Sequence, residues 1–418
     1  MRVLSGKTDG QPLPRGIASI DTLVACEAVR AAFRFLDQNS RWIDEQHLAI
    51  CRIPAPTFAE RIRAEWFLDQ FTSFGLSARM DRAGNVLATC PGTPRNAPLI
   101  AVTAHLDTVL APASPDAIEA SRGRLTGPGV SDNGAGLAAL LALARLHAET
   151  GFGQEGAYPL FVANVGEEGE GNLSGMRFLC RPSPLLGRIR CFIVLDGPST
   201  DHVTSEALAC RRFDVSVNGP GGHSWADHGT ANPVHALARL ITGFLEAQGG
   251  QHSKSRSSYN FGVIDGGSTV NAIPASARVK VDLRSVDTDT LDRLAAHLSD
   301  ATEAAIAAEN ASAKAGRVSA TMKETGSRPG GILDPSAPIL GYIREIDRHL
   351  GIRSHPDCAS TDANVPISLG LEAISIGAGG SGGGAHTPSE WYSGEGRITG
   401  LRRIVLLLAL VAAGLADQ

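Results

Sequence analysis

The sequence predicts an α/β protein: a mostly parallel mixed sheet with helices on both faces, carrying an inserted α+β domain of ferredoxin-like order. Three observations point to this. Short apolar strands alternate with helices over residues 98–195, the pattern of parallel strands covered on both faces. Between roughly 205 and 330 the strands alternate apolar with polar residues and follow the order β-α-β-β-α-β. After about 330 the first pattern returns. One domain is therefore expected from 1–204 and 331–418, and a second from 205–330. A length of 418 residues suits two or three domains of about 100–200 residues each.

Residues 98–105 (PLIAVTAH) read as a short buried strand. Gly134 to His147, rich in Ala and Leu, reads as a helix. Tyr158 to Val165 and Arg190 to Leu195 are strand-like. In the middle region Leu208 to Val217 alternates like a half-exposed strand. Pro233 to Ala247 is an amphipathic helix, with Asn232 as N-cap and Pro233 at its first position. Strands are expected at Ser258 to Ile264, Ala277 to Arg284 and Arg317 to Lys323, with a long helix from Thr290 to Ala311. Ala337 to Leu350 is a helix, Ala373 to Ile376 a strand, and Arg397 to Leu415 the last helix. The apolar run inside it, Ile404 to Leu415, falls short of the ~20 residues of a membrane span. It reads as a buried helix, and no membrane partner is expected. Residues 1–40 carry no assigned role.

Composition narrows the function. Hydrophobic residues at 43% and charged residues at 19% exclude wholesale disorder. The charge sum, 38 − 43 = −5, offers no basic field for nucleic acid or anionic lipid. The opening MRVLSGKTDGQPLPRG lacks the apolar segment of roughly 7–15 residues that a secretory signal needs. Seven scattered cysteines without a C-x-x-C are expected to be reduced thiols in a cytoplasmic protein.

Acidic and histidine clusters follow the strands, where open α/β sheets place ligands. His105 and Asp107, two apart after the first strand, suit a carboxylate bracing a metal-binding imidazole; a polar loop is the plainer reading. Asp132, in the turn Gly127–Gly134, reads as a helix N-cap or as a carboxylate bridging two cations. Glu167 and Glu168 follow the strand at 158–165. Adjacent carboxylates repel unless something positive holds them, and at a sheet end they point to function more than to a solvated pair. Asp196 follows the strand at 190–195, and His386 follows a glycine-rich loop, as a structural His or a ligand. Nitrogen and oxygen donors without thiolate suit Zn, with Mn or Co as alternatives. A shared carboxylate is what holds two ions about 3.5–4 Å apart, leaving Glu167 or Glu168 to act as a base.

At these residues the chain resembles the co-catalytic dinuclear zinc exopeptidases and deacylases. That family includes peptidase T, the glutamate carboxypeptidases, aminoacylase, acetylornithine deacetylase and succinyl-diaminopimelate desuccinylase. The resemblance covers about residues 45–415 and lies in the order and spacing of short motifs. It implies that His105, Asp132 and Asp196 bind one metal and that Asp132, Glu168 and His386 bind the other. It further implies that Asp107 orients His105, that Glu167 is the general base, and that the peptide after Asp132 is cis. In the inserted segment, Asn218–Ser224 (NGPGGHS) resembles the stretch whose His, here His223, supports an oxyanion, commonly in the partner subunit's site. Gly266–Pro274 (GGSTVNAIP) resembles the stretch whose Asn, here Asn271, contacts substrate. Asp282-Leu283-Arg284 resembles the place where an Arg pairs with a substrate carboxylate, a task for a guanidinium fork; a plain surface strand residue is the other reading of Arg284.

Two stretches depart from the commonest pattern or match it loosely. Ser131–Gly136 (SDNGAG) stands where many members have Asp-x-Lys-Gly, and it also resembles zinc aminopeptidases that lack the lid. The β-α-β-β-α-β insertion favours the first family. Ser360–Asn364 (STDAN) resembles a substrate-side loop of the peptidase T-like branch. The implied activity is hydrolysis of the amide bond of short peptides, as a di- or tripeptidase, by a water activated between two metals. An N-acyl amino acid deacylase with the same site is the alternative, and an inactive scaffold on this fold is the reading from a different class. A homodimer through the 205–330 lid and dimerisation domain is also implied.

Overall fold

Along Leu99–His105 the residues Ile100, Val102 and Ala104 pack into one apolar cluster, while Leu99 and Ala101 pack into another. This is the period-two alternation of a strand with helices on both sides. The computed structural model describes residues 19–121, 123–153, 156–248 and 256–416. The opening MRVLSGKTDGQPLPRG, read above for a signal segment, lies outside them. The chain divides into two compact units. One comprises the described residues up to Ala207 with those from Ile332 onward, and the other is Leu208–Gly331.

The first unit is built on a mixed sheet. Its strands are β1 (Ser77–Met80), β2 (Val86–Thr89), β3 (Leu99–His105), β4 (Tyr158–Asn164), β5 (Ile189–Leu195), β6 (His202–Ala207), β7 (His355–Ala359) and β8 (Glu372–Ile376). They lie in the order β1-β2-β4-β3-β5-β8-β6, with β7 paired to β6. The β4-β3-β5-β8 centre is parallel, and β1, β2 and the β8–β6 pair are antiparallel. Parallel neighbours place the C-terminal ends of β3, β4 and β5 side by side. The clusters after those strands therefore share one sheet edge.

Helix α1 (Gly134–Thr150) is buried along most of its length. Together with the terminal helix α2 (Arg397–Ala416) and helices Glu27–Gln38, Ser40–Cys51 and Arg61–Ser73, it covers one face. Shorter helices at Ser174–Leu179 and Asn364–Ser368 cover the other. Helix α2 corrects the length argument made from sequence. Residues Arg397–Leu415 are long and apolar enough to span a bilayer, and 72% of the most apolar window is buried inside the protein. Burial, rather than shortness, identifies α2 as a core helix.

The second unit has a four-stranded antiparallel sheet in the order Ser257–Gly266, Ser276–Ser285, Ala209–Asn218, Ser319–Arg328. Helices Pro233–Gln248 and Thr288–Ser312 pack on it around Phe213, Val215, Leu240, Phe244 and Leu298. This is the ferredoxin-like arrangement the sequence predicts. Asn232 caps the first helix, its Oδ1 accepting from Val234 N at 2.9 Å. The last strand runs to Arg328, beyond the expected end at Lys323, with an irregularity in its pairing at Glu324/Gly326.

Candidate metal centre

His105 is the last residue of β3 and is buried. Its Nδ1 lies 2.9 Å from the backbone carbonyl of Asp107. The Asp107 carboxylate is 3.6 Å away, too far for a hydrogen bond. The ring is thus oriented by Asp107, but through its main chain, which fixes a proton on Nδ1 and turns Nε2 outward as a lone-pair donor. The carboxylate of Asp107 has another task. It accepts from Glu167 N and Glu168 N, both at 2.9 Å, and from Thr57 Oγ1 at 2.9 Å. Burial opposes its charge, but His105 and these amides outweigh that and hold its pKa below the usual carboxylate range.

Beyond His105 Nε2, the carboxylates of Asp132 and Asp196 lie at 3.1 and 3.7 Å. Asp132 does not cap α1. That role belongs to Asn133, whose Oδ1 accepts from Gly136 N at 3.1 Å and from Gly197 N at 3.1 Å. Asn133 Nδ2 donates to Leu195 O at 2.8 Å. A Cβ on Gly136 would meet Asn133 Oδ1 at 2.2 Å and Leu195 O at 2.5 Å, so glycine permits the close join between α1 and the end of β5. The Asp132–Asn133 peptide is cis.

The second oxygen of Asp132 is 3.2 Å from His386 Nε2, which also lies 3.0 Å from Glu168 Oε1. His386 adopts φ +64°, an uncommon conformation outside glycine. Among the described residues, three groups of donor atoms each lie within 4.8 Å of one another: His105 with Asp132 and Asp196, Asp132 with Glu168 and His386, and His105 with Glu167 and Glu168. The neighbouring carboxylates raise His386 to about 10. At His105, burial works against the charged form, but the carboxylates outweigh it and raise its pKa. Burial raises the Glu168 carboxyl despite His386. The converging carboxylates thus call for positive charge. The fold brings together His105, Asp107, Asp132, Glu167, Glu168, Asp196 and His386.

The other three expected residues lie in the second unit. His223 is exposed on a two-residue strand paired with Ala272–Ile273. Its Nδ1 accepts the amides of Trp225 and Ala226, each at 3.2 Å, so in the neutral ring the proton sits on Nε2. Asn271 is exposed, and its Oδ1 accepts from Thr269 Oγ1 at 2.9 Å. Arg284 Nε donates to Asp282 Oδ2 on its own strand at 2.6 Å.

Several supporting residues have no motif to announce them. Buried Arg63 reaches Leu106 O at 2.6 Å and Ile53 O at 3.0 Å. Glu60 accepts from Gly166 N at 3.1 Å. Glu390 holds the Asp132 turn. Asp362, in the stretch that resembles a substrate-side loop, is fully buried and accepts from Asn164 Nδ2 at 2.6 Å. Its other oxygen has no hydrogen-bond partner among the described residues. Burial, with further repulsion from Asp196 and Asp107, pushes its carboxyl up to about 7 despite His105 and Asn164. A carboxyl raised above its unfolded value favours folding while protonated, and that contribution fades as pH climbs through the folded pKa. In metal-free protein, the stability of Asp362→Asn relative to wild type is expected to rise by roughly 1–4 kcal/mol between pH 4 and 8. Urea unfolding at both pH values measures it, and a difference independent of pH refutes the buried, protonated state.

Two family models match the chain, the peptidase dimerisation domain over residues 211–310 and peptidase family M28 over 85–214. A succinyl-diaminopimelate desuccinylase from Methylocella silvestris is 26% identical over 227 residues, 52% of this chain and 56% of that protein. The chain thus spans about half the length of the curated relative it matches. A tripeptidase from Staphylococcus aureus superposes with a TM-score of 0.69 at 20% identity, covering 90% of this chain and 98% of the other. A dinuclear metal-binding peptidase of the M20 family from Bacillus subtilis superposes with a TM-score of 0.62 at 14% identity, covering 89% and 98%. At such identities the structural likeness speaks for the fold. The matches bear out the resemblance read from the residues, to the dinuclear metallopeptidases and deacylases that carry an inserted peptidase dimerisation domain.

Proposed function

We propose that this chain is a metal-dependent hydrolase cleaving the amide bond of short peptides, a di- or tripeptidase of exopeptidase type. The observation that carries the reading is the position of Asp132, which offers one oxygen toward His105 at 3.1 Å and the other toward His386 at 3.2 Å. That is what a ligand shared by two ions needs. His105, Asp132 and Asp196 would hold one divalent ion, and Asp132, Glu168 and His386 the other. An all nitrogen and oxygen donor set fits Zn, with Mn or Co as alternatives. Bound ions of this kind supply Lewis acidity and lower the pKa of water from 15.7 toward about 7.

The chain's own residues do the rest. Glu167, buried beside His105 and Glu168, takes the proton of the attacking water and returns it to the leaving amine. Asp107 fixes the turn that presents both glutamates. His223, with its proton on Nε2, is suited to donate to the carbonyl oxygen as charge develops there. Asn271 is assigned to substrate contact, and Arg284 to a substrate carboxylate in competition with Asp282. A homodimer formed through the inserted domain and a cytoplasmic location complete the reading.

The 26% identity to a desuccinylase supports a second reading, an N-acyl amino acid deacylase using the same residues. Elemental analysis and a panel of free, N-blocked and C-blocked dipeptides and tripeptides test both. Two metal equivalents per chain and fastest cleavage of free peptides are expected. Fastest cleavage of an N-acyl substrate selects the deacylase. No bound transition metal and no stimulation by added metal would leave only the scaffold.

A further inference from the structure

Four residues beyond His386, the chain places Glu390 in the protein interior, 2% exposed. Its carboxylate meets four donors. Oε2 accepts from Gly129 N at 2.7 Å. Oε1 accepts from Ser131 N at 2.7 Å, Ser131 Oγ at 2.8 Å and Asp132 N at 2.8 Å. The main chain joins in, with Gly127 N donating to Glu390 O at 2.8 Å and Trp391 paired to Thr126. On another side of the same turn, His47 Nε2 lies 2.7 Å from Val130 O. The turn from Gly129 to Asn133 is thus gripped through its backbone, and the Asp132 side chain is left to face the two histidines.

We propose that Glu390 is a positioning residue that locks the Asp132 turn to the His386 loop, so that the bridging carboxylate and a terminal imidazole of the metal pair are set by one buried side chain. The inference rests on the two-metal reading above. Its physical basis is the strength of charged acceptors toward backbone N–H groups in the interior and the influence of outer partners on ligand geometry. The four donors also explain why a carboxylate is needed. A glutamine has one acceptor oxygen, and each Glu390 oxygen faces a backbone N–H. Whichever way the amide is turned, its NH2 group opposes a buried donor.

The test uses the full-length protein stripped of metal and titrated with Zn or Mn against a competing chelator, with stoichiometry read by elemental analysis. Wild type is expected to bind two equivalents. In Glu390→Gln the affinity for the weaker equivalent should fall about 10–100-fold. Glu390→Asp, which keeps the charge but is too short to reach all four donors, should lose affinity likewise, separating position from charge. Ser131→Ala, which removes one donor of four, should show a smaller loss. Excess metal should restore kcat in the variants with little change in KM, a rescue that a merely destabilised core would not give.

Metal affinities of Glu390→Gln and Glu390→Asp within twofold of wild type overturn the proposal. If both variants fail to fold, Ser131→Ala decides, and wild-type affinity there overturns it. A wild-type protein that binds fewer than two equivalents overturns the two-metal reading instead, so the two failures are distinguishable.

Discussion

A Glu167→Gln protein is expected to keep both metal ions and lose turnover by about 10²–10⁴-fold, the usual worth of a positioned general base. The substitution preserves shape. The main-chain amide of residue 167, held by Asp107 Oδ1 at 2.9 Å, is untouched, and so are the side chains that approach His105 and His386. What disappears is a group able to accept a proton and give it back. The loss should therefore fall on kcat, with KM changed little. The experiment also separates the two adjacent glutamates, because His105, Glu167 and Glu168 themselves form one of the three donor groups. Glu168→Gln should lower metal content, since Glu168 lies 3.0 Å from His386. Metal loss in Glu167→Gln with metal retained in Glu168→Gln would exchange the two roles, and near-normal turnover in Glu167→Gln would remove the base assignment.

The residues whose placement is expressed in local pattern were legible in the sequence. β3, β4 and β5 are mostly apolar because both faces are covered, and each ends in or leads into residues of the candidate site: His105 at the end of β3, Glu167 and Glu168 after β4, and Asp196 after β5. Elements at the sheet margin were not legible. β1 reads Ser-Ala-Arg-Met and is never fully buried, so no apolar run marks it. Helix Glu27–Gln38 did leave a signal, with Val29, Ala32, Phe35 and Leu36 buried at helical spacing, in a region without an assigned role.

The supporting residues of the site are the hardest to find from sequence. Glu390 acts on partners 258 to 261 positions away, and Asp362 on Asn164 across 198. Neither sits in a spacing that encodes its partner. Asp362 even carries a misleading one, since the loop that resembles a substrate contact buries this side chain completely. Sequence proximity identifies groups that converge at adjacent strand ends. It is silent about groups that reach the site from behind.

The largest stability effect is expected at the opposite end of the chain's chemistry, inside helix α2. Arg403 lies in this strongly apolar helix and is fully buried. Its Nε and Nη2 meet Asp347 Oδ1 and Oδ2 at 2.7 and 2.6 Å, a two-pronged contact that suits guanidinium and carboxylate. Nη1 has no partner among the described residues, so the pair compensates its own desolvation incompletely. Removing Asp347 leaves Arg403 as an unpaired charge in the core, and removing Arg403 leaves the Asp347 carboxylate without a counter-charge, held by the Ser354 hydroxyl. Arg403→Met and Asp347→Leu are each expected to cost about 3–5 kcal/mol. The double variant, which buries two apolar side chains of similar reach, should recover most of that loss, because an apolar pair carries no desolvation penalty. Urea unfolding of the four proteins closes the cycle, with a coupling energy of about 2 kcal/mol or more expected. Additive losses would show that the guanidinium and carboxylate are each satisfied without the other, and that α2 owes its burial to its leucines alone.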